Sequence, residues 1–417
     1  MRILYYCPDQ GIPVLGDKGA SVHVRSFVTA LARQGHEVLL VCSRLGEGNP
    51  PPPVPIIELP PPVGDDALRP ACDTLGIDYA ALADAGLRGE IRKLSHDAHL
   101  PQRVRQAVAQ RRFHPELLYE RHALFHVSGI AIAGDYGIPR VLEVNAPLAE
   151  EQARFRGLTL RPEAERRESA SLRGADLVVA VSNEVRGFVR SRGVAPGRVI
   201  VAQNGVDTAR FNVGVSGEAV RRRLGLDADP VIGFVGSFRP WHGVDMLLTA
   251  FAAIARQRPQ ARLLAVGDGT MLEAARHRVQ AEGLGGRVAL TGRVPHDEVP
   301  AHVAAMDLTV APYTVRNDFY FSPMKVVESL ASGRAVVAPR IGQLATLVAD
   351  GETGLLYPPG NADALAACLL RLLDDAPLRH RLGAEGAIRA ARCWDWAAVA
   401  GRIMASLAAI RRCRRAS

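Results

Sequence analysis

Residues 318–354, DFYFSPMKVVESLASGRAVVAPRIGQLATLVADGETG, decide the reading of this 417-residue chain. They read as a loop ending in SPMK, a helix carrying Glu328, a tight SGR turn and the short buried strand AVVA. A second loop then runs from Gly342 to Gly354. A loop that delivers backbone N–H groups to a helix start is an anion site, because the first turn has unpaired donors and a positive dipole end. Further along the same helix, one carboxylate can accept hydrogen bonds from the vicinal hydroxyls of a sugar. Phosphate at the helix start and ribose beside the carboxylate together describe a nucleotide-sugar.

Outward from this stretch, short apolar strands alternate with amphipathic helices, the pattern of parallel sheets covered on both faces. In the first half the strands read ILYYC, EVLLVC, ELLYE, RVLEVN, LVVAVS and RVIVAQ; in the second, VIGFVG, RLLAVG, RVALTG, LTVAPY, RAVVAP and GLLYP. The pattern predicts an α/β chain with two doubly wound sheets whose ligands lie beyond the carboxyl ends of the strands, the cleft between the domains being the default active site. The Pro-rich stretch from Pro50 to Pro62 excludes a helix or inner strand and reads as an extended loop. Residues 65–112 read as mostly helical, serving acceptor recognition or packing. The terminal CWDWAAVAGRIMASLAAIRRC reads as one helix.

Composition fits a globular enzyme: 48% hydrophobic and 23% charged residues exclude disorder as the default. The six cysteines, Cys7, Cys42, Cys72, Cys368, Cys393 and Cys413, have no metal-ligand or paired spacing, which argues for a reducing compartment and against structural zinc. The N-terminus reads as a first strand, not a signal peptide, and no run reaches the roughly 18 apolar residues of a membrane span. A cytoplasmic protein is expected. Net charge is +8, and Lys18, Lys93 and Lys325 are the only lysines. Aromatics at 5%, without interleaved basic residues, argue against nucleic acid as a partner. Arg411, Arg412, Arg414 and Arg415 could touch an anionic membrane surface peripherally, at about 1 kcal/mol per charge; a frayed, solvated helix end explains them equally well.

The order of motifs, ILYYCPD, a Gly-containing loop, VSNEVR, QNGVD, VIGFVGSF, PWHG, AVGDGTM, LTGRV and the opening stretch, resembles bacterial retaining glycosyltransferases of family 4, in a branch with PWHG and SPxK. The resemblance implies the GT-B fold, two Rossmann-like domains facing a central cleft. QNGVD at 203–207 resembles the family's crossing between domains. It places an acceptor-side domain at 1–205, with 390–417 packing back on it, and a donor domain at 206–389. Trp394 and Trp396 are expected to pack on the first domain.

By the same resemblance, Glu328 bonds the nucleotide ribose. Tyr320 stands where the pattern usually has a second glutamate; its hydroxyl can bond a sugar but carries no charge. Main-chain N–H groups at Ser322, Met324 and Lys325 would contact sugar and phosphate, Pro323 having none. In GSFRPWHG, Ser237 and His242 replace an arginine and a lysine that neutralise the diphosphate in many relatives. Arg239 or His242 would substitute, and a diphosphate-bound His242 would be protonated more readily than a free histidine. Gly236, Gly267 and Gly269 would wall the donor site, and Arg293 sits where relatives cradle the base.

In the first domain, Gly16, Lys18 and Gly19 precede a helix whose apolar stripe is Val24, Phe27, Val28 and Leu31, and would place backbone donors and one ammonium near the donor phosphates. His23 on the first turn either faces the cleft or caps and packs locally. The strand ends ELLYERH and RVLEVNAP bring Arg121, His122, Glu143 and Asn145 toward the reaction centre. Asparagine cannot act as a general base. In the front-face mechanism the departing phosphate takes the acceptor's proton, leaving positioning and charge stabilisation to Asn145, Arg121, Arg239 and His242.

The expected function is metal-independent, cofactor-free transfer of a hexose or hexosamine, with retention, from a nucleoside-diphosphate sugar to a hydroxyl of a glycan, lipid-linked or small-molecule acceptor. A UDP-sugar is the first expectation and GDP-mannose the second. A GT-B-type epimerase or phosphorylase, or a non-catalytic nucleotide-sugar-binding protein, are the alternatives.

Overall fold

The computed structural model describes residues 1–416 except 63, 65, 227, 315–318 and 321; the side chains of 80, 81, 411 and 413–416 also lie outside the description. The chain divides into two compact units. Unit 1 comprises Met1–Gln203, Tyr320–Ser322 and Val399–Ser417; unit 2 comprises Asn204–Phe319 and Pro323–Ala398.

Unit 1 is built on strands β1 (Arg2–Cys7), β2 (Glu37–Cys42), β3 (Ile56–Glu58), β4 (Leu117–Arg121), β5 (Arg140–Val144), β6 (Leu177–Ala180) and β7 (Val199–Val201). They form one sheet in the order β3-β2-β1-β4-β5-β6-β7, every pair parallel among the described residues. The central strands β4 and β5 are buried along their whole length, as strands of a helix-covered parallel sheet are, although they carry Glu120, Arg121, Arg140 and Glu143. The helix Gly19–Arg33 places Val24, Phe27, Val28 and Leu31 in the core.

β3 corrects the reading of the Pro-rich segment as wholly loop. It is a three-residue strand at the sheet edge, where proline's missing donor costs nothing. Residues 66–110 are mostly helical, ending in the long helix Ala85–Gln110.

Two buried charges join the middle of this sheet to its helices. Arg140 donates through Nε to Glu120 at 2.6 Å, through Nη1 to the Ser171 carbonyl and through Nη2 to Ser171 Oγ, each of the latter at 2.7 Å. Gly129 makes room for that pair, since a Cβ there would lie 1.8 Å from Glu120 Oε2.

Unit 2 is built on β8 (Val231–Val235), β9 (Arg262–Val266), β10 (Val288–Leu290), β11 (Leu308–Val310), β12 (Ala335–Pro339) and β13 (Gly354–Tyr357), in the order β10-β9-β8-β11-β12-β13. In each unit the strand order reverses beside the first strand, between β1 and β4 and between β8 and β11. Loops leaving the carboxyl ends there splay apart and leave a crevice for ligand. The two doubly wound parallel sheets make this a GT-B-type α/β fold.

The terminal segment is not one helix. One helix ends at Cys393 and the last, Trp396–Ala416, starts three residues later. The break has a local cause. Val206 N–H donates to the Trp394 carbonyl at 2.8 Å, Trp396 N–H to the Val206 carbonyl at 3.2 Å, and Asp395 accepts from Thr208 Oγ1 at 2.6 Å and from Ala397 N–H at 2.8 Å. Trp394 and Trp396 are buried and group with unit 2, next to Gly205 and Val206. Residues from Val399 onward group with unit 1. Arg412 is exposed, and the side chains of Arg411, Arg414 and Arg415 lie outside the described residues. Among the described residues no helix is long and apolar enough to cross a membrane.

Candidate functional site

In unit 2 the turns beyond β8, β9 and β10 interlock through glycines. Gly236 N–H donates to the Val266 carbonyl, Phe238 N–H to the Asp268 carbonyl and Gly267 N–H to the Gly292 carbonyl, all at 2.9 Å. Gly236, Gly267 and Gly269 have φ of 150°, 136° and 155°, a region that side chains disfavour. Space excludes a side chain as well. A Cβ on Gly267 would lie 1.9 Å from the Gly236 carbonyl oxygen, and one on Gly269 would lie 2.6 Å from that of Phe238. The result is a backbone-lined wall at the switch point, where the sequence places the donor site.

The helix Met324–Ala331 carries Lys325 and Glu328, both expected from the sequence to bind donor, and sets Lys325 Nζ against Gly236 of this wall. Glu328 is 8% exposed, with Nε2 of His296 at 3.9 Å from its carboxylate. His296 is itself held by Arg210, which lies 3.0 Å from its Nδ1 and donates to its carbonyl at 2.9 Å. Lys325 keeps a partly exposed stem, but its Nζ is buried without a hydrogen-bond partner among the described residues. That Nζ lies 4.5 Å from the centroid of the Phe234 ring and 4.7 Å from that of Tyr313, and a Cβ on Gly236 would come within 2.6 Å of it. Burial lowers the Lys325 pKa to about 7, against a smaller opposing pull from Glu328.

His242, one of the two cations expected from the sequence, ends the short turn Pro240–His242. Its Nδ1 is directed at the Ser237 carbonyl, and its ring packs edge-on to Tyr313 at 5.1 Å. Burial and then the Lys325 charge lower its pKa to about 3, so the imidazole is neutral. Ser237 and Arg239 are exposed on the same turn, and Arg293 is exposed just after Gly292.

In unit 1, Glu143 on β5 gathers the residues expected near the reaction centre. Its carboxylate accepts from Tyr119 Oη at 2.8 Å and from Arg121 Nη1 and Asn145 Nδ2 at 2.7 Å, and His23 Nε2 lies 2.9 Å away. Burial acts to raise its pKa, but His23, Arg121 and the Asn145 amide outweigh burial and hold it well below the usual carboxylate range. Burial acts to lower Arg121, and Glu143 together with Tyr5, Cys7 and Asp9 more than compensates. Both charges therefore persist inside the fold. Beside them His122 is buried against Glu168 at 3.2 Å, a packing role.

A cavity of about 610 Å³ opens over this hub, lined by Lys18, Lys93, Arg121, Arg156, Asn145 and Glu151 among others. Lys18 reaches back to the Gly11 carbonyl at 2.9 Å, and Arg25 ties the preceding loop through the carbonyls of Val14 (2.5 Å) and Gly16 (2.6 Å). Gly16 is required, since a Cβ there would press on Pro13 at 2.8 Å; Gly19 is not, since a Cβ would meet nothing within 4 Å.

The structure separates residues that the sequence placed together. Tyr320 and Ser322 group with unit 1, while Pro323, Met324, Lys325 and Glu328 belong to unit 2. The Tyr320 hydroxyl donates to Glu151 at 2.7 Å, and its ring joins the core beside β5 and β6. Sequence reading missed Arg210, His296, Tyr313, Lys93 and Arg156. The one available signal was Tyr313, three residues beyond β11 at the carboxyl edge.

Comparison with known proteins agrees with this architecture. The profile of Glycosyltransferase Family 4 matches residues 18–210 and that of Glycosyl transferases group 1 matches residues 229–375. A D-inositol 3-phosphate glycosyltransferase of Kineococcus radiotolerans is 30% identical, over 93% of this chain and 90% of that one. A GDP-mannose-dependent alpha-(1-6)-phosphatidylinositol monomannoside mannosyltransferase of Mycolicibacterium smegmatis is 30% identical over 58% of this chain and 64% of that one. The structure of Anabaena HepE in complex with UDP superposes with a TM-score of 0.72 at 21% identity, over 98% of this chain and all of that one. Two doubly wound parallel-sheet domains, with the two matched profiles, place the chain among GT-B glycosyltransferases. The chain belongs to glycosyltransferase family 4, and it is a glycosyltransferase.

Proposed function

We propose that this glycosyltransferase moves a hexose or hexosamine, with retention of the α configuration, from a nucleoside-diphosphate sugar to a hydroxyl of a phosphorylated acceptor. The observation that carries the donor half is the convergence of Glu328, Lys325 and the Gly236–Gly267–Gly292 wall at one switch point of unit 2. Ribose hydroxyls would donate to the Glu328 carboxylate, and the diphosphate would lie along the glycine wall, where backbone approaches closely. HepE was solved with UDP and the mannosyltransferase is named for GDP-mannose, so UDP and GDP sugars are the two donor classes to compare. The reading needs no resident metal, because Lys325 and Arg239 supply positive charge near the diphosphate.

A thermal-shift panel of UDP, GDP, ADP and TDP with their common sugars tests the donor half, since a ligand of the folded state raises the melting temperature by mass action. One diphosphate should stabilise the protein, and Glu328→Ala should weaken it roughly 10- to 100-fold, the loss of charged hydrogen bonds. Chelation by EDTA should leave turnover unchanged. No stabilisation by any donor, with or without acceptor, would sink the reading.

The acceptor half rests on the cavity of unit 1, whose lining carries Lys18, Lys93, Arg121 and Arg156 against Asp9 and Glu151. A net positive lining favours an anionic acceptor, and the Kineococcus relative is named for an inositol phosphate. Inositol 3-phosphate should therefore be glycosylated in preference to inositol. Lys93→Met and Arg156→Ala should each raise its KM roughly tenfold or more, as removal of a charged contact does, with donor affinity unchanged. Equal rates with both acceptors would remove the phosphate requirement.

A further inference from the structure

We propose that Lys325 is the side chain that neutralises the donor diphosphate, acting through the opening left by Gly236, and that it takes up a proton from solution as the donor binds. The inference rests on the donor site proposed above.

The geometry isolates this ammonium. Its Nζ is buried beneath the Gly236–Ser237 turn between the faces of Phe234 and Tyr313, with no hydrogen-bond acceptor among the described residues. Aromatic faces tolerate a cation but replace only part of its hydration. Gly236 is what admits it, since any side chain there would collide with Nζ at 2.6 Å and lie 3.5 Å from His242 Nδ1. A buried polar group without a partner is costly, and a diphosphate arriving at this turn would supply the missing acceptors.

Among the described residues, the titratable and charged groups facing Nζ are Glu328, Tyr313, His242 and Arg239. Glu328 lies one turn away on the same helix and favours the charged amine. Tyr313, pushed up by burial, stays a neutral phenol. His242 and Arg239 come from the 236–243 turn; burial and Lys325 keep His242 neutral, with Arg239 adding a smaller push in the same direction. Lys325, at about 7, is then partly deprotonated in the free protein. A diphosphate beside it restores the ordinary preference of an amine for its charged form.

Isothermal titration with UDP and GDP as probes, in buffers of different ionisation heat, measures the proton directly. At pH 8, where a terminal phosphate with pKa near 6 is fully ionised, the wild type should take up about 0.9 proton per diphosphate, falling to about 0.5 at pH 7. Lys325→Met should abolish the uptake and weaken UDP or GDP roughly 10- to 100-fold, as loss of a charge-assisted contact does, while uridine or guanosine binds as before. It should also fold, because it removes a buried unpaired amine. Lys325→Arg, permanently charged, should keep diphosphate binding without proton uptake. His242→Gln should leave the uptake intact. Unchanged affinity and uptake in Lys325→Met, or uptake lost only in His242→Gln, would overturn the assignment while the donor site stands. Wild type that binds neither diphosphate would overturn the donor reading and this inference with it.

Discussion

Replacing Glu143 with alanine should destabilise the fold by about 3–5 kcal/mol, the cost of breaking a buried ion pair from one side. The carboxylate is the common acceptor for Tyr119, Arg121 and Asn145, with His23 at 2.9 Å. Without it, the Arg121 guanidinium remains buried with its charge uncompensated. Glu143→Gln keeps the shape but turns one acceptor into a donor facing other donors, so it should fall between alanine and wild type.

The pH dependence follows from the direction of the shift. Because Glu143 titrates below the ordinary carboxylate value of about 4.3, its contribution is fully present above that value and is lost as pH falls through the lower, folded value. Urea midpoints measured between pH 7 and about pH 3 should therefore drop more steeply for wild type than for Glu143→Gln. Parallel slopes would show that the charge contributes nothing to stability. The same hub positions Arg121 and Asn145 over the cavity of unit 1, so loss of acceptor turnover should accompany the loss of stability.

The second large effect is expected at Gly267. An alanine there puts a Cβ 1.9 Å from the Gly236 carbonyl oxygen at a φ of 136° that side chains avoid. Neither atom is the free end of a side chain, so the β8 and β9 turns must separate. Gly267 N–H also donates to the Gly292 carbonyl, which carries the displacement into the turn beyond β10. Steric and conformational terms of this kind cost on the order of several kcal/mol. Donor affinity should fall more than roughly 100-fold, an amount that a shift of about 1 Å can produce in a positioned site. Gly283→Ala is the control: its φ is also positive, at 66°, but a Cβ meets nothing within 4 Å. It should cost about 1 kcal/mol and leave donor binding unchanged. Equal donor affinity in wild type and Gly267→Ala would mean that the glycine wall is not the donor site.

Much of this architecture was legible in the sequence because the signals are local. Each of the twelve expected strands is a short apolar run ended by glycine, proline or a polar turn, and each is present. β3 escaped because three residues among prolines carry no periodic signal, and its pairing with β2 depends on the neighbouring strand. Gly236, Gly267 and Gly269 could be assigned to the carboxyl edge because a glycine following a strand marks a turn, and the edge binds ligand whatever the ligand is. The helix start at Lys325 and the carboxylate at Glu328 could be placed for the same reason.

The rest depends on neighbours far apart in the chain. Tyr320, which the family resemblance sets beside the sugar, bonds through its hydroxyl to Glu151, 169 residues earlier, a pairing that no local pattern announces. The Glu143 hub draws His23 from 120 residues away. Lys93 reaches the cavity from a long helix that the sequence assigns to acceptor recognition or packing without singling out a residue. His242 read as a cation because histidine titrates near neutrality in water, whereas burial beside Lys325 makes it neutral. The chain by itself thus determined its two doubly wound domains and the edge where ligands bind, since hydrophobic period and turn chemistry act over a few residues. Only the tertiary structure decided which side chains are charged and what each can still bond, because burial and pairing are set by every segment packed around them.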